Sequence, residues 1–149
     1  MSRTKSFNKG RYPPKNPDKY NGDVNKIIFR SSWELAFCKF CDKNPNILEW
    51  ASEEIYIPYR CPLKNSNKRY FPDFWIKYQN KNQEIKQEII EIKPKSQTST
   101  PKSNTKNPRQ RLYEQSTYVV NMAKWQAAER WCNERGIKFR VISEDQLFR

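Results

Sequence analysis

The sequence predicts a mixed α/β (α+β) domain whose elements run helix, three strands, helix, strand. Three observations carry that expectation: an apolar stripe at helical spacing over residues 33–41, alternating segments between 54 and 93, and a second helical stripe over 118–132 that stops at a glycine. A chain of 149 residues is long enough for one core and short for two. Aromatic residues make up 14% of it, including five Trp, so core material is present despite the heavy charge.

Taken in order, residues 1–26 carry Arg3, Lys5, Lys9, Arg11, Lys15, Lys19 and Lys26 against only Asp18 and Asp23, with Pro13, Pro14 and Pro17 interrupting any regular pattern. A basic extended arm is expected there, and the folded domain over 27–149. In the first helix Trp33, Ala36, Phe37, Phe40 and Cys41 form one stripe, and Asn44-Pro45 ends it. Glu34 borders that stripe three residues after Ser31, the spacing of a capping box, so locally a structural role explains it.

Glu54 to Tyr59 alternates as a strand, with Pro58 marking an edge or an end. A second strand is expected over Arg69–Tyr78 after the turn residues Asn65-Ser66-Asn67. A third follows over Glu88–Lys93, after Asn80-Lys81-Asn82. Residues 94–111 are basic and polar without an acid and read as a long flexible loop. Tyr118, Met122, Trp125, Glu129 and Cys132 then mark the second helix, closed by Gly136, and Ile137, Phe139 and Val141 the last strand.

The charge narrows the partners. Lys and Arg number 29 and Asp and Glu 16, a formal +13, which favours a polyanion such as nucleic acid. No apolar run suits a membrane span and the first residues lack a signal-peptide core, so a soluble, intracellular protein is expected. The chain has no His, which removes Ser-His and Cys-His dyads and His-ligated metals; catalysis near neutral pH must rest on carboxylates, Lys, Tyr, Cys or a carboxylate-bound ion. Cys38-x-x-Cys41 invites a zinc reading, but it lies inside a helical pattern with no second close pair, and small buried thiols explain it better.

Two fragments carry chemistry: Pro72-Asp73, and Glu91-Ile92-Lys93 after seventeen intervening residues. In a strand Glu91 and Lys93 project to one side while Ile90 and Ile92 face the other. An acid and a base among core aliphatics are costly to desolvate unless pairing, a metal or solvent compensates. Phosphodiester hydrolysis accounts for the set. Mg²⁺ or Mn²⁺ takes hard oxygen ligands, two carboxylates leave positions for water and phosphate, and a neighbouring ammonium can orient water and neutralise developing charge. On spacing alone the set is also compatible with a solvated charged face.

This element order, with Glu34, Pro72-Asp73 and Glu91-Ile92-Lys93, resembles the PD-(D/E)xK nuclease superfamily over roughly residues 27–145. Lys5–Gly10, Phe29–Glu34, Leu48–Glu54, Tyr70–Phe74 and Met122–Ala128 resemble, more narrowly, the head-completion nucleases of T-even-type tailed bacteriophages. The motif order is also similar to the endonuclease subunit of certain bacterial transposases. The resemblance implies a restriction-endonuclease-like core with Asp73 and Glu91 as metal-binding acids, Glu34 completing the metal site, and Lys93 as the motif lysine. It further implies endonuclease and exonuclease action on double-stranded DNA, a setting in the host cytoplasm during phage assembly or in the virion head, and contact with the portal or other head-completion proteins. Backbone contacts to DNA are expected from Lys9, Arg11, Arg69, Lys95, Lys102, Lys106, Arg109 and Arg111. The rival readings are a non-cutting adaptor on a nuclease fold and an RNA-directed module.

Overall fold

The computed structural model describes residues 9–101 and 106–147. The strands are β1 (Gly10–Arg11), β2 (Ile28–Phe29), β3 (Ile47–Ser52), β4 (Ile57–Cys61), β5 (Ser66–Tyr70), β6 (Phe74–Gln79), β7 (Ile85–Ile92) and β8 (Lys138–Ile142). The helices are α1 (Ser32–Lys43), α2 (Pro108–Arg135) and the short α3 (Glu144–Leu147).

The main sheet has the order β3-β6-β7-β8. Its first three strands are antiparallel neighbours, and β8 lies parallel to β7 after the α2 crossover. Between β3 and β6 the chain makes a separate hairpin, β4-β5, against which α2 packs. The core holds Trp33, Phe37, Trp50, Phe74, Ile89, Ile90 and Ile92 with Tyr12, Tyr20 and Ile27 from the N-terminal segment.

The helix, strand, helix, strand frame is the one expected, and several of its details differ. The strand expected over 69–78 is two strands in different sheets, divided at Phe71-Pro72-Asp73, because Pro72 has no N–H to extend a ladder. Strand β3 was not expected: a bulge between Ile47 and Glu49 breaks its alternation, and Trp50, Ala51 and Ser52 are all buried. The strand expected from Glu54 begins at Ile57, with Glu53 at φ 54° in the bend before it.

On α1 the buried residues are Trp33, Glu34, Phe37, Cys38, Cys41 and Asp42, while Phe40 is half exposed. The stripe is rotated toward the acids because polar groups of the N-terminal segment meet Asp42. Its carboxylate accepts from the Tyr12 hydroxyl (2.6 Å), Lys15 N–H (2.7 Å) and Asn16 N–H (2.9 Å). These hydrogen bonds hold its pKa below the ordinary value although burial pushes it up. Residues 9–26 are thus a packed strap rather than a free arm: β1 pairs with β2, Tyr20 stacks edge-on against Trp50 at 4.8 Å, and Lys19 Nζ donates to the carbonyls of Cys41, Asp42 and Asn44 at the end of α1.

Helix α2 starts earlier than expected. Asn107 caps it by accepting from Arg109 and Gln110 N–H, and Pro108 takes the first position, so Asn-Pro begins a helix where it reads as loop. Arg109 and Arg111 therefore sit in the first turns of a helix. The buried side of α2 is Asn121, Trp125, Ala128 and Cys132, with Glu129 exposed, and Gly136 closes it in the left-handed region at φ 69°. Among the described residues no helix is long and apolar enough to cross a membrane.

Candidate active site

The register of β6 on β7 sets Phe74 opposite Ile90 as the last pair, which leaves Asp73 and Glu91 as the next residues beyond the ladder on each side. Asp73 has left the ladder after Pro72, and its carboxylate takes over a strand contact: Oδ2 accepts from Ile92 N–H at 2.8 Å. Glu91 Oε1 in turn accepts from Asp73 N–H at 3.2 Å. Each carboxylate is thereby fixed by a backbone N–H of the facing segment rather than by packing alone. Lys93 projects on the side of Glu91, as alternation requires, with Nζ 3.7 Å from Glu91 Oε2. The Lys93 side chain is 27% exposed and that of Glu91 8%, so the ammonium marks the open side of the pair.

Burial raises the Asp73 pKa well above the ordinary carboxylate value, and the Glu91 and Glu34 charges raise it further; the Ile92 N–H and Lys93 oppose this only in part. Burial also raises Glu91, against the opposing effects of Lys93, Tyr70, the Asp73 N–H and Lys124. A buried Glu91 and a part-buried Asp73, adjacent and both with raised proton affinity, are a pair in need of positive charge.

Glu34 stands at the start of α1. Ser31 Oγ accepts from its N–H at 3.2 Å, and its own Oε1 accepts from Arg30 N–H at 3.3 Å, close to the expected capping box but reaching one residue further back. Its charge is felt at Asp73. Among the described residues, however, no three acid or Cys side chains are close enough to share one ion, so Glu34 is not brought together with Asp73 and Glu91 as a third direct ligand. The capping-box bonds account for this, since they hold the Glu34 carboxylate back against the helix start.

Two neighbours escaped the sequence reading. The buried Tyr70 hydroxyl stands beside Glu91, outside hydrogen-bond geometry and with no partner among the described residues. Lys124 reaches the same region from α2, its Nζ 5.9 Å from the Tyr59 ring centroid and 5.7 Å from that of Tyr70. Desolvation lowers its pKa, and Lys93 acts in the same direction against Glu91 and Asp73. One lysine among 29 basic residues carries no signal in the sequence; only the crossover of α2 over β4-β5 selects it.

The residues expected to touch DNA differ in their surroundings. Lys9, Lys106, Arg109 and Arg111 are exposed. Arg11 is exposed and donates to the Asn25 carbonyl at 3.4 Å, and Arg69 stacks at 4.8 Å over the Tyr56 ring. Lys95 is paired with Asp145 at 3.2 Å, and Lys102 lies outside the described residues. Arg109 and Arg111 have no acidic companion in the first turn of α2, where the helix dipole is already positive.

The donor set suits a hard divalent cation: a buried and a part-buried carboxylate side by side, with a buried tyrosyl hydroxyl beside Glu91 and no His in the chain. A sheet that juxtaposes two acids and a lysine at a strand break, with α2 crossing beside them, has the chemistry that a phosphodiester-cleaving domain can use. The profile of the TnsA-like endonuclease N-terminal family matches residues 44–144, a span that includes Asp73, Glu91, Lys93 and Lys124 but not Glu34. The chain belongs to that family, and its mixed α/β fold is of the restriction-endonuclease-like kind. It is 43% identical over 142 residues to the head completion nuclease of Enterobacteria phage T4, a similarity covering 93% of this chain and 92% of that protein. No solved structure matches it.

Proposed function

We propose that this chain is a divalent-metal-dependent DNA nuclease that acts in completing phage heads. The observation that carries the reading is the Asp73–Glu91 pair, in which the Glu91 carboxylate accepts from Asp73 N–H, the Asp73 carboxylate accepts from Ile92 N–H, and Lys93 faces Glu91 at 3.7 Å. Asp73 and Glu91 would hold Mg²⁺ or Mn²⁺, which when bound supplies Lewis acidity toward a phosphate oxygen and lowers the pKa of water. Lys93 orients the attacking water by hydrogen bonding and offsets the negative charge that builds on the phosphoryl group as one P–O ester bond breaks. Glu34, acting through its charge from the start of α1, raises the cation affinity of Asp73.

The substrate in this reading is double-stranded DNA, cut both internally and from ends. The +13 charge and the exposed Lys9, Lys106, Arg109 and Arg111 support phosphate contacts, whereas the ion pair of Lys95 with Asp145 weakens its claim. The likeness to the phage T4 protein supports a role in head completion, with packaged DNA as the substrate, the portal or other head proteins as neighbours and the host cytoplasm as the setting.

The test is to incubate purified protein with supercoiled plasmid and with linear duplex, in Mg²⁺, Mn²⁺ or chelator. Nicking or linearisation of the plasmid and shortening of the linear duplex, both abolished by chelator, are the expected results. Duplex binding with no cleavage under any metal would replace this reading with that of a non-cutting adaptor.

A further inference from the structure

Lys124 is the feature of this site that the two acids and Lys93 do not explain. It lies on the stretch of α2 that packs against β4, with its ammonium between the faces of Tyr59 and Tyr70. Among the described residues its Nζ makes no hydrogen bond and no ion pair within 4.0 Å, so its three N–H donors have no protein acceptor. A half-buried ammonium is costly, and two ring faces compensate only in part. A Met of similar length would fill the same space without that cost. For fold stability alone the charge is therefore a poor choice, while the position is suited to an anion that arrives from outside.

The anion is defined by the neighbours. Lys124 stands over the ring of Tyr70, which lies three residues before Asp73 and beside Glu91, and the charges of Lys93, Glu91 and Asp73 act on it there. Lys93 already neutralises Glu91 at 3.7 Å and cannot also hold the substrate at full strength. Tyr59 and Tyr70 restrict Lys124 to one region, as a pre-positioned point charge requires.

We propose that Lys124 is a second substrate cation of this site, donating to a non-bridging oxygen of the DNA phosphodiester next to the Asp73–Glu91 pair. The proposal rests on the nuclease reading. It divides the work between two lysines: Lys93 acts on the water and the reacting phosphoryl group, and Lys124 fixes the phosphate that Asp73 and Glu91 would otherwise repel.

The experiment compares wild type, Lys124→Met, Lys124→Arg and, as a surface control, Lys86→Met. Duplex affinity is measured in chelator across a salt series, cleavage kinetics are measured with Mn²⁺, and melting temperature is followed for each. Lys124→Met is expected to lower kcat/KM by about 10- to 100-fold and to flatten the log affinity against log salt slope by about 0.9, one phosphate contact, at an unchanged melting temperature. Lys124→Arg is expected to recover the salt slope and part of kcat/KM. A slope and kcat/KM in Lys124→Met equal to wild type would overturn the proposal, as would a lower melting temperature with both unchanged. If wild type itself does not cleave, the nuclease reading fails, and the salt slope alone decides whether Lys124 holds a phosphate.

Discussion

Replacing Asp73 with Asn should abolish cleavage and, in chelator, make the protein more stable. The substitution keeps the geometry: Asn Oδ1 can still accept from Ile92 N–H, and the backbone N–H of residue 73 can still donate to Glu91. What it removes is a negative charge beside Glu91, at a place where burial, the Glu91 charge and the more distant Glu34 charge all raise the proton affinity of Asp73. Replacing such a buried charge by a neutral group that keeps its hydrogen bond is expected to stabilise by about 1–3 kcal/mol. For a chain of this length that is a rise in Tm of roughly 2–4 °C per kcal/mol.

The pH dependence gives a second readout of the same substitution. A carboxyl whose native pKa is raised binds its proton more tightly when folded, so its contribution is fully present below the ordinary carboxylate pKa and is lost as pH rises through the raised native value. Wild type in chelator should therefore lose stability across that rise, and Asp73→Asn should show a flatter profile. Adding Mn²⁺ should raise the Tm of wild type but not of the variant. Differential scanning calorimetry from pH 4 to 8, with and without the ion, measures all three. A variant less stable than wild type in chelator, or one that still cleaves, would refute the reasoning.

Lys93→Ala should retain duplex binding and lose most turnover, measured as single-turnover cleavage at saturating protein; wild-type rates would remove Lys93 from the chemistry. Glu34→Gln keeps an acceptor for Arg30 N–H and should leave Tm nearly unchanged while slowing cleavage through the lost charge; normal cleavage would make Glu34 a helix-start residue only. Asp42→Ala strands the Tyr12 hydroxyl and two backbone N–H groups and should cost about 3 kcal/mol or more in a urea titration. Since the native pKa of Asp42 is depressed, its contribution is present above the ordinary Asp value and lost as pH falls through the native one, so the gap between wild type and Asp42→Ala should close in acid.

Much of this was legible because it follows short-range rules. The start of α1 at Ser31, the stop of α2 at Gly136 and the common projection of Glu91 and Lys93 are matters of capping and alternation. What escaped depends on contacts distant in the chain. Nothing near Asp42 in the chain announces its burial, which Tyr12, Lys15 and Asn16 bring about, and the Pro-rich segment reads as an arm until Tyr20 meets Trp50. The bulge in β3 erased the period that identifies a strand. Lys124 gains its meaning only from Tyr59 and Tyr70, more than fifty residues away in the chain.

The break at Pro72 ties these strands to the chemistry. If the ladder of β6 on β7 ran on past Phe74, Asp73 and Glu91 would be directly opposed, an arrangement of like charges that destabilises a sheet. Pro72 stops the ladder there; the Asp73 carboxylate receives the Ile92 N–H, while the Asp73 carbonyl accepts from Glu53 N–H. The acid is thus held at strand precision while its charge is released from strand geometry toward Glu91. A slip of one residue in this register would turn Asp73 to the other face and part the two acids. Trp75 against Ile89 and Phe74 against Ile90, buried on the two faces, make that slip costly. The apolar register of β6 and β7 therefore sets the spacing of the acids, and the pair's repulsion is a cost the core is built to withstand.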